Sequence, residues 1–232
     1  MIRVLLFDLD ETLYPPEAGI MPEIRKLMLH YLRTRLHLTP EEAEALRRHY
    51  FQTYGTTMRG LQINHHVDPD EFLRIVHDIP LEKFIHPNPE LDGVLAGIAQ
   101  DKVVFTNSSR EHAERVLDLL GIRRHFSRII DVRDVGYESK PQPAAYQSVC
   151  NLLKVRPEDC LIVEDNARNL RPAKALGMTT VLVHREGSGL PSAQAQGTPQ
   201  DGSVDSDGEA DVHVRRIEEI GVVVARIMSG IA

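Results

Sequence analysis

A chain of 232 residues, 42% hydrophobic and 26% charged, can bury a full core, which excludes a fibrous or wholly disordered protein. Its formal net charge of -7 argues against a broad nucleic-acid or membrane surface, because such surfaces need clustered Lys and Arg, but it leaves small phosphorylated metabolites open as partners. No apolar run approaches the roughly 20 residues of a bilayer span, and Met1-Ile2-Arg3 leads straight into a strand, so the sequence reads as a soluble cytoplasmic protein.

Arg3-Val4-Leu5-Leu6-Phe7 reads as a strand covered on both faces, and Asp8-Leu9-Asp10-Glu11-Thr12 follows where it ends. Acids two residues apart on extended backbone point to one side, where their repulsion favours a bound cation or a shared proton. The same residue types also end strands and cap turns, so the downstream chain has to decide. Tyr14-Pro15-Pro16 breaks the pattern, and from Met21 to about Phe84 every convincing element is helical. Ile24, Leu27, Met28, Tyr31 and Leu32 form one buried stripe on a helix from Met21 to about Leu36. Thr39-Pro40-Glu41-Glu42 starts a second helix with a capping box, and Asp68-Pro69-Asp70-Glu71 repeats that grammar. Between them, the glycine-bounded segment Tyr54 to Gly60 predicts a loop. His65 and His66 read as a helix-end pair, since adjacent side chains seldom converge on one metal.

Beyond Pro87 and Pro89 strands and helices alternate: a helix near Glu90 to Ala99, strand Lys102 to Thr106, helix 109 to 120, strand Arg128-Ile129-Ile130, and a helix from about Pro143 to Leu153. Strand Cys160 to Val163, a helix through Ala173 and strand Thr180 to Val183 continue the order. Repeated β-then-α order predicts an α/β fold with a doubly wound parallel sheet. The predicted organisation is a core of residues 1–14 and 87–232 with an all-helical domain of 15–86 inserted. Cys150 and Cys160 read as packed thiols. From Glu186 to about Ala210 the chain is Gly-, Ser- and Pro-rich and predicts a surface excursion. Its Asp205 to Glu209 run fails as a calcium loop, with Ala210 and Arg216 where Gly and Glu are needed. Val212-His213-Val214 and a helix through Met228 close the chain.

Four clusters fall at the C-terminal ends of predicted strands, which in a parallel sheet share one rim. Asp8 and Asp10 are the first. Thr106-Asn107-Ser108 is the second, offering a hydroxyl and helix N-terminal N–H groups to an anion, with Ser108 and Glu111 also readable as a capping box. Lys140 before Pro141 can set an ammonium beside a phosphate. Glu164-Asp165 suits a hard cation. Together D-L-D-E-T, T-N-S, Lys140-Pro141 and Glu164-Asp165 resemble the four motifs of the haloacid dehalogenase superfamily of phosphotransferases, over nearly the whole chain. The insert resembles that superfamily's type-one cap on a Rossmannoid core. Asp10, absent from the dehalogenase branch, points to the phosphatases.

The resemblance implies an aspartyl-phosphate mechanism: Asp8 as nucleophile, Asp10 as acid and base with a pKa raised by its neighbour, and Thr106, Asn107 and Lys140 on the phosphoryl oxygens. It implies Mg²⁺ on Asp8, the Asp10 main-chain carbonyl and Asp165, with Glu164 close by. Y-G-T-T-M-R-G-L, H-H-V-D-P-D-E-F-L, I-V-H-D-I and F-T-N-S-S-x-x-H-A-x-R-V-L resemble the pyrimidine 5′-nucleotidase-like group. That implies a nucleoside 5′-monophosphate as substrate, with Arg59 as the substrate contact on the insert. His112 reads as a surface residue of a helix N-terminus unless the insert closes over it. The alternatives are a phosphoglycolate or sugar-phosphate phosphatase, a phosphomutase, and a non-catalytic binding module. Oligomeric state is not readable.

Overall fold

The computed structural model describes residues 1–183 and 210–230. The predicted excursion over 186–210 and the 205–209 run fall outside the described residues, Ala210 excepted. Between strand β1 (Val4–Phe7) and strand β2 (Asp101–Phe105) lie helices α1 (Ile20–Leu36), α2 (Pro40–Tyr54), α3 (Thr57–His65), α4 (Pro69–Val76) and α5 (Pro89–Ala96). There follow α6 (Arg110–Leu120), β3 (Arg128–Ile130), α7 (Pro143–Leu153), β4 (Cys160–Glu164), α8 (Ala167–Ala175), β5 (Thr179–Val183), β6 (Val212–Val214) and α9 (Ile220–Ser229).

The strands form one parallel sheet in the order β3-β2-β1-β4-β5-β6, the doubly wound topology expected. Alternation along β1 shows why: Leu5 and Phe7 face a core with α5, α6 and α9, while Val4 and Leu6 face Tyr146 and Val149 of α7 and Leu170 of α8. Leu5, Leu6 and Phe7 are fully buried, each stabilising the fold by about 1.5–3 kcal/mol. In this order the chain reverses direction across the sheet at β1 and β4, so the crevice that binds ligands in such folds opens beyond the ends of these two strands.

In the insert, α1 packs on α2 and α4, and Thr39 makes the predicted capping box with Glu42. Tyr54 to Gly60 is not the loop expected. Thr56 accepts a hydrogen bond from the Arg59 N–H and caps α3, which runs on through Gly60. The two glycines serve different needs. Gly55, at φ 88°, turns the chain where a Cβ would come 2.8 Å from the Lys140 carbonyl. At Gly60 a Cβ would lie 2.2 Å from Tyr50 Cγ, so this glycine permits helix packing rather than bending. His65 and His66 do end α3, with His65 Nε2 2.7 Å from the Tyr50 hydroxyl. Cys150 and Cys160 are buried and free. Among the described residues no helix is long and apolar enough to cross a membrane.

Candidate active site

Asp8 extends β1 by one rung, donating its N–H to Val163 of β4. Glu11 then takes a left-handed conformation, φ 63°, which for a non-glycine marks a turn held by its surroundings. That turn brings Thr12 back over the strand end, where its hydroxyl lies 3.2 Å from Asp8 Oδ2 and 3.3 Å from Asp165 Oδ1. Asp8, Glu164 and Asp165 present carboxylate oxygens within 4.8 Å of one another.

The Lys140 ammonium is buried among these acids, donating to Asp8 Oδ1 at 2.6 Å, Glu164 Oε1 at 2.7 Å and the Phe105 carbonyl at 2.9 Å. A lysine has three N–H donors, and all are engaged. Burial alone would lower the Lys140 pKa, but Asp8 and Glu164 outweigh it and hold it above the usual range. Burial first, and then the Glu164 charge, push Asp8 up to about 7 against the pull of Lys140. Asp165 stands well above the carboxylate range through burial and the charges of Glu164, Asp8 and Glu11. These acids crowd around a single buried ammonium, and the oxygen-only donor set with excess negative charge fits a hard divalent cation. Glu164 is engaged by the protein on both oxygens, by Lys140 and Asn169 on Oε1 and the Asn166 N–H on Oε2. Asp8 and Asp165 are the members of the cluster that line the cavity.

Asp10 has a different environment. Its Oδ1 accepts from the Tyr14 hydroxyl at 2.7 Å and lies 2.8 Å from His112 Nε2, and its Oδ2 accepts from Ser108 at 2.6 Å. The sequence-based expectation of a raised pKa is corrected here. Burial pushes Asp10 up, but the charge and hydrogen bond of His112, with Ser108 and Tyr14, win and hold it below the usual carboxylate range. Two further readings change with it. His112 is no surface residue, being 1% exposed, and Ser109, not Ser108, caps α6.

The remaining candidates divide. Thr106 continues β2 and lines the cavity, its hydroxyl accepting from the Ser108 N–H. Asn107 also lines it, but its side-chain amide brackets the Lys140 backbone, accepting from its N–H at 2.9 Å and donating to its carbonyl at 3.1 Å. Arg59 lies outside the cavity lining, paired to Glu138 at 2.6 Å and to Gln62. In its place the insert presents Arg25 and Arg47, both bound to Glu44. An apolar wall that includes Met21, Ile24, Met28, Phe51, Met58 and Phe72 surrounds them. Sequence reading missed Arg47 because its partner lies three residues away on the same helix, which looks like an ordinary solvated pair.

A parallel sheet with an acid cluster at its switch point and a helical insert facing that cluster defines an α/β protein with a site for a small charged ligand. The chain belongs to the haloacid dehalogenase-like hydrolases, whose family model matches residues 2–177. It is 26% identical to Phosphate metabolism protein 8 of Saccharomyces cerevisiae over 198 residues, 78% of this chain but 61% of the yeast protein. With a Phosphoglycolate phosphatase of Chromobacterium violaceum it shares 26% identity over 78% of this chain and 85% of that protein. Among solved structures, the HAD phosphatase from Thermococcus onnurineus superposes with a TM-score of 0.60 at 21% identity, covering 96% of this chain and 98% of that one. At that identity the likeness speaks for the fold.

Proposed function

We propose that the protein is a phosphate monoester hydrolase that works through an aspartyl phosphate on Asp8. The observation that carries this is the division of labour between adjacent acids: Asp8 is oriented by Lys140 and Thr12, whereas Asp10 is held by His112, Ser108 and Tyr14. In the first half, an Asp8 carboxylate oxygen bonds to phosphorus as the ester oxygen leaves, and Asp10 gives that oxygen a proton. In the second half, water attacks phosphorus, Asp10 takes its proton, and the Asp8–phosphorus bond breaks to release phosphate. Asp10 rests ionised in this arrangement, so it takes up its proton when an arriving phosphate places further negative charge beside it. Lys140 fixes the Asp8 carboxylate. Asp8, Asp165 and the Asp10 main-chain carbonyl would hold Mg²⁺, which offsets repulsion between carboxylate and phosphate.

Helices α1 to α4 then act as a cap that meets the leaving group, and its wall favours a nucleoside 5′-monophosphate of the pyrimidine class. Aromatic and methionine side chains suit the flat faces of a base, and Arg47 can donate to a ring carbonyl. The second reading, a small phosphorylated carboxylate such as phosphoglycolate, is favoured by the Arg25 and Arg47 guanidiniums that this wall presents at the cavity.

The test is phosphate release from a panel of monoesters with and without Mg²⁺. The expected result is metal-dependent release, fastest with UMP or CMP. Release from no ester sinks the hydrolase reading, and faster turnover of phosphoglycolate or sugar phosphates replaces the nucleotide with the second reading.

A further inference from the structure

One face of α6 reads the insert. Ser109, His112 and Arg115, spaced three apart, all meet the segment that leaves α4. Ser109 Oγ lies 3.1 Å from His77 Nδ1, the His112 ring stacks on the His77 ring at 4.3 Å and 20°, and Arg115 donates to the carbonyls of His77 and Ile79 at 3.3 and 2.7 Å. From the same face His112 reaches Asp10. Among the described residues, His112 Nδ1 is buried with no hydrogen-bond partner. The ring is held at its Nε2 edge by Asp10 and on its face by the His77 ring.

We propose that His112 is a positioning residue for Asp10, and that His77 sets its orientation from the insert, so that Asp10 is aligned for proton transfer only when the insert is seated on α6. This rests on the hydrolase reading for its kinetic consequence but not for its structural one. A Ser108 hydroxyl and a Tyr14 hydroxyl also hold Asp10, yet both come from the core. Of the three, His112 is the one that stacks on a ring from the insert. Loss of His77 removes the stacking that fixes the plane of the His112 ring, and with it the alignment of Nε2 on Asp10, which Ser108 and Tyr14 still hold in place.

The kinetic test uses leaving groups of different need. An alkyl phosphate such as UMP requires a proton on its departing oxygen, while p-nitrophenyl phosphate expels a stable phenolate without one. His112→Leu should slow first-turnover cleavage of the alkyl ester about 100-fold, within the range for a general acid, and that of p-nitrophenyl phosphate at least tenfold less. His112→Gln, which keeps an N–H near the Nε2 position, should recover most of the loss. His77→Leu should cost the alkyl ester roughly tenfold and add almost nothing to His112→Leu, as expected for residues acting in series. Equal losses with both esters, or additive losses in the double variant, would overturn the proposal.

A readout independent of turnover is the proton NMR signal of the His112 Nε2 proton, sheltered from solvent against Asp10. In His77→Leu, shown to fold by its thermal transition, that signal should move or exchange away, with His77→Gln as the variant to use if Leu does not fold. An unchanged signal overturns the proposal even if no ester is a substrate. Absence of turnover in the wild-type protein counts against the hydrolase alone.

Discussion

The rim of the sheet and the wall of the insert face each other across one cavity and are built on opposite principles. At the rim, polar groups are locked to one another: Lys140 has a partner for each N–H, Glu164 for each oxygen, and Asn107 grips the Lys140 backbone on both sides. On the wall, methionine, aliphatic and aromatic side chains lie beside the Arg25 and Arg47 guanidiniums. Locked dipoles suit a reaction whose charge develops at fixed positions, because they need not reorganise as it proceeds. Thioethers have several rotatable bonds and refit to shape, which suits recognition of a variable leaving group. The same division follows from backbone: strand ends in a parallel sheet are fixed by ladders on both sides, whereas the helices of the insert are joined to the core by side-chain contacts such as Arg59 to Glu138 and Arg168 to the Phe51 carbonyl.

The sharpest way to break this comparison is Asp8→Asn. Removing a nucleophile should cut turnover about 10⁴-fold or more, read as phosphate release, and a variant that keeps activity would move the chemistry away from the rim. The same change should stabilise the metal-free protein. Asp8 is raised from an ordinary 3.8 to about 7 in the fold, so between those values the native state binds more protons than the unfolded one. Stability conferred by the protonated group is full below pH 4 and lost as pH rises through 7. Asparagine removes that loss. In chelator, urea denaturation at pH 8 should show the variant more stable than wild type, by on the order of 1–2 kcal/mol, with the difference shrinking toward pH 4.

Lys140→Met should act in the opposite sense on stability. It strips the buried ammonium from Asp8 and Glu164, and unpairing a buried charge costs about 3–5 kcal/mol. Activity should fall with it by roughly 10²- to 10³-fold, the size of effect seen when a preorganised charge is removed. If the variant melts at the wild-type temperature, the rim is less tightly locked than its hydrogen bonds indicate.

What could be read from the sequence follows the same line. Asp8, Asp10, Thr106 and Asp165 each end or follow a strong apolar strand, so local pattern together with the parallel-sheet rule placed them on one rim, whereas Lys140, in a loop well past β3, was marked by its Pro141 and the family resemblance. The helices of the insert were legible from caps such as Thr39-Pro40. Interactions between the two regions were not. His112 sits in the first turn of a helix, where histidine is ordinarily solvated, and what the sequence left open was whether the insert closes over it, as the stacked His77 ring does. The pKa of Asp10 was misjudged for the same reason, since the neighbour that decides it is 102 residues away. At Gly60 the sequence signals chain bending, and only the Tyr50 ring shows that the glycine is there to admit a neighbour.

Two arginines of the insert, Arg47 and Arg59, test the other side of the comparison with smaller effects. Arg47 is 5% exposed, lines the cavity, and donates Nε and Nη2 to Glu44. If the wall selects the leaving group, Arg47→Gln should raise KM for the preferred substrate about tenfold while leaving kcat within a factor of about two, the signature of lost uniform binding. The loss should be larger for an anionic leaving group than for a base carbonyl, because hydrogen bonds between charged groups are the stronger kind. Comparing UMP with phosphoglycolate in the one variant therefore separates the two substrate readings. Arg59→Gln should do almost nothing to KM. Its guanidinium pairs with Glu138 at a part-exposed joint between insert and core, with side chains 22% and 35% accessible, and such pairs are worth about 0–1 kcal/mol. A small drop in thermal midpoint with unchanged KM is the expected outcome. A tenfold rise in KM would instead return Arg59 to the substrate and show that the wall extends beyond the cavity, onto the outer face of α3.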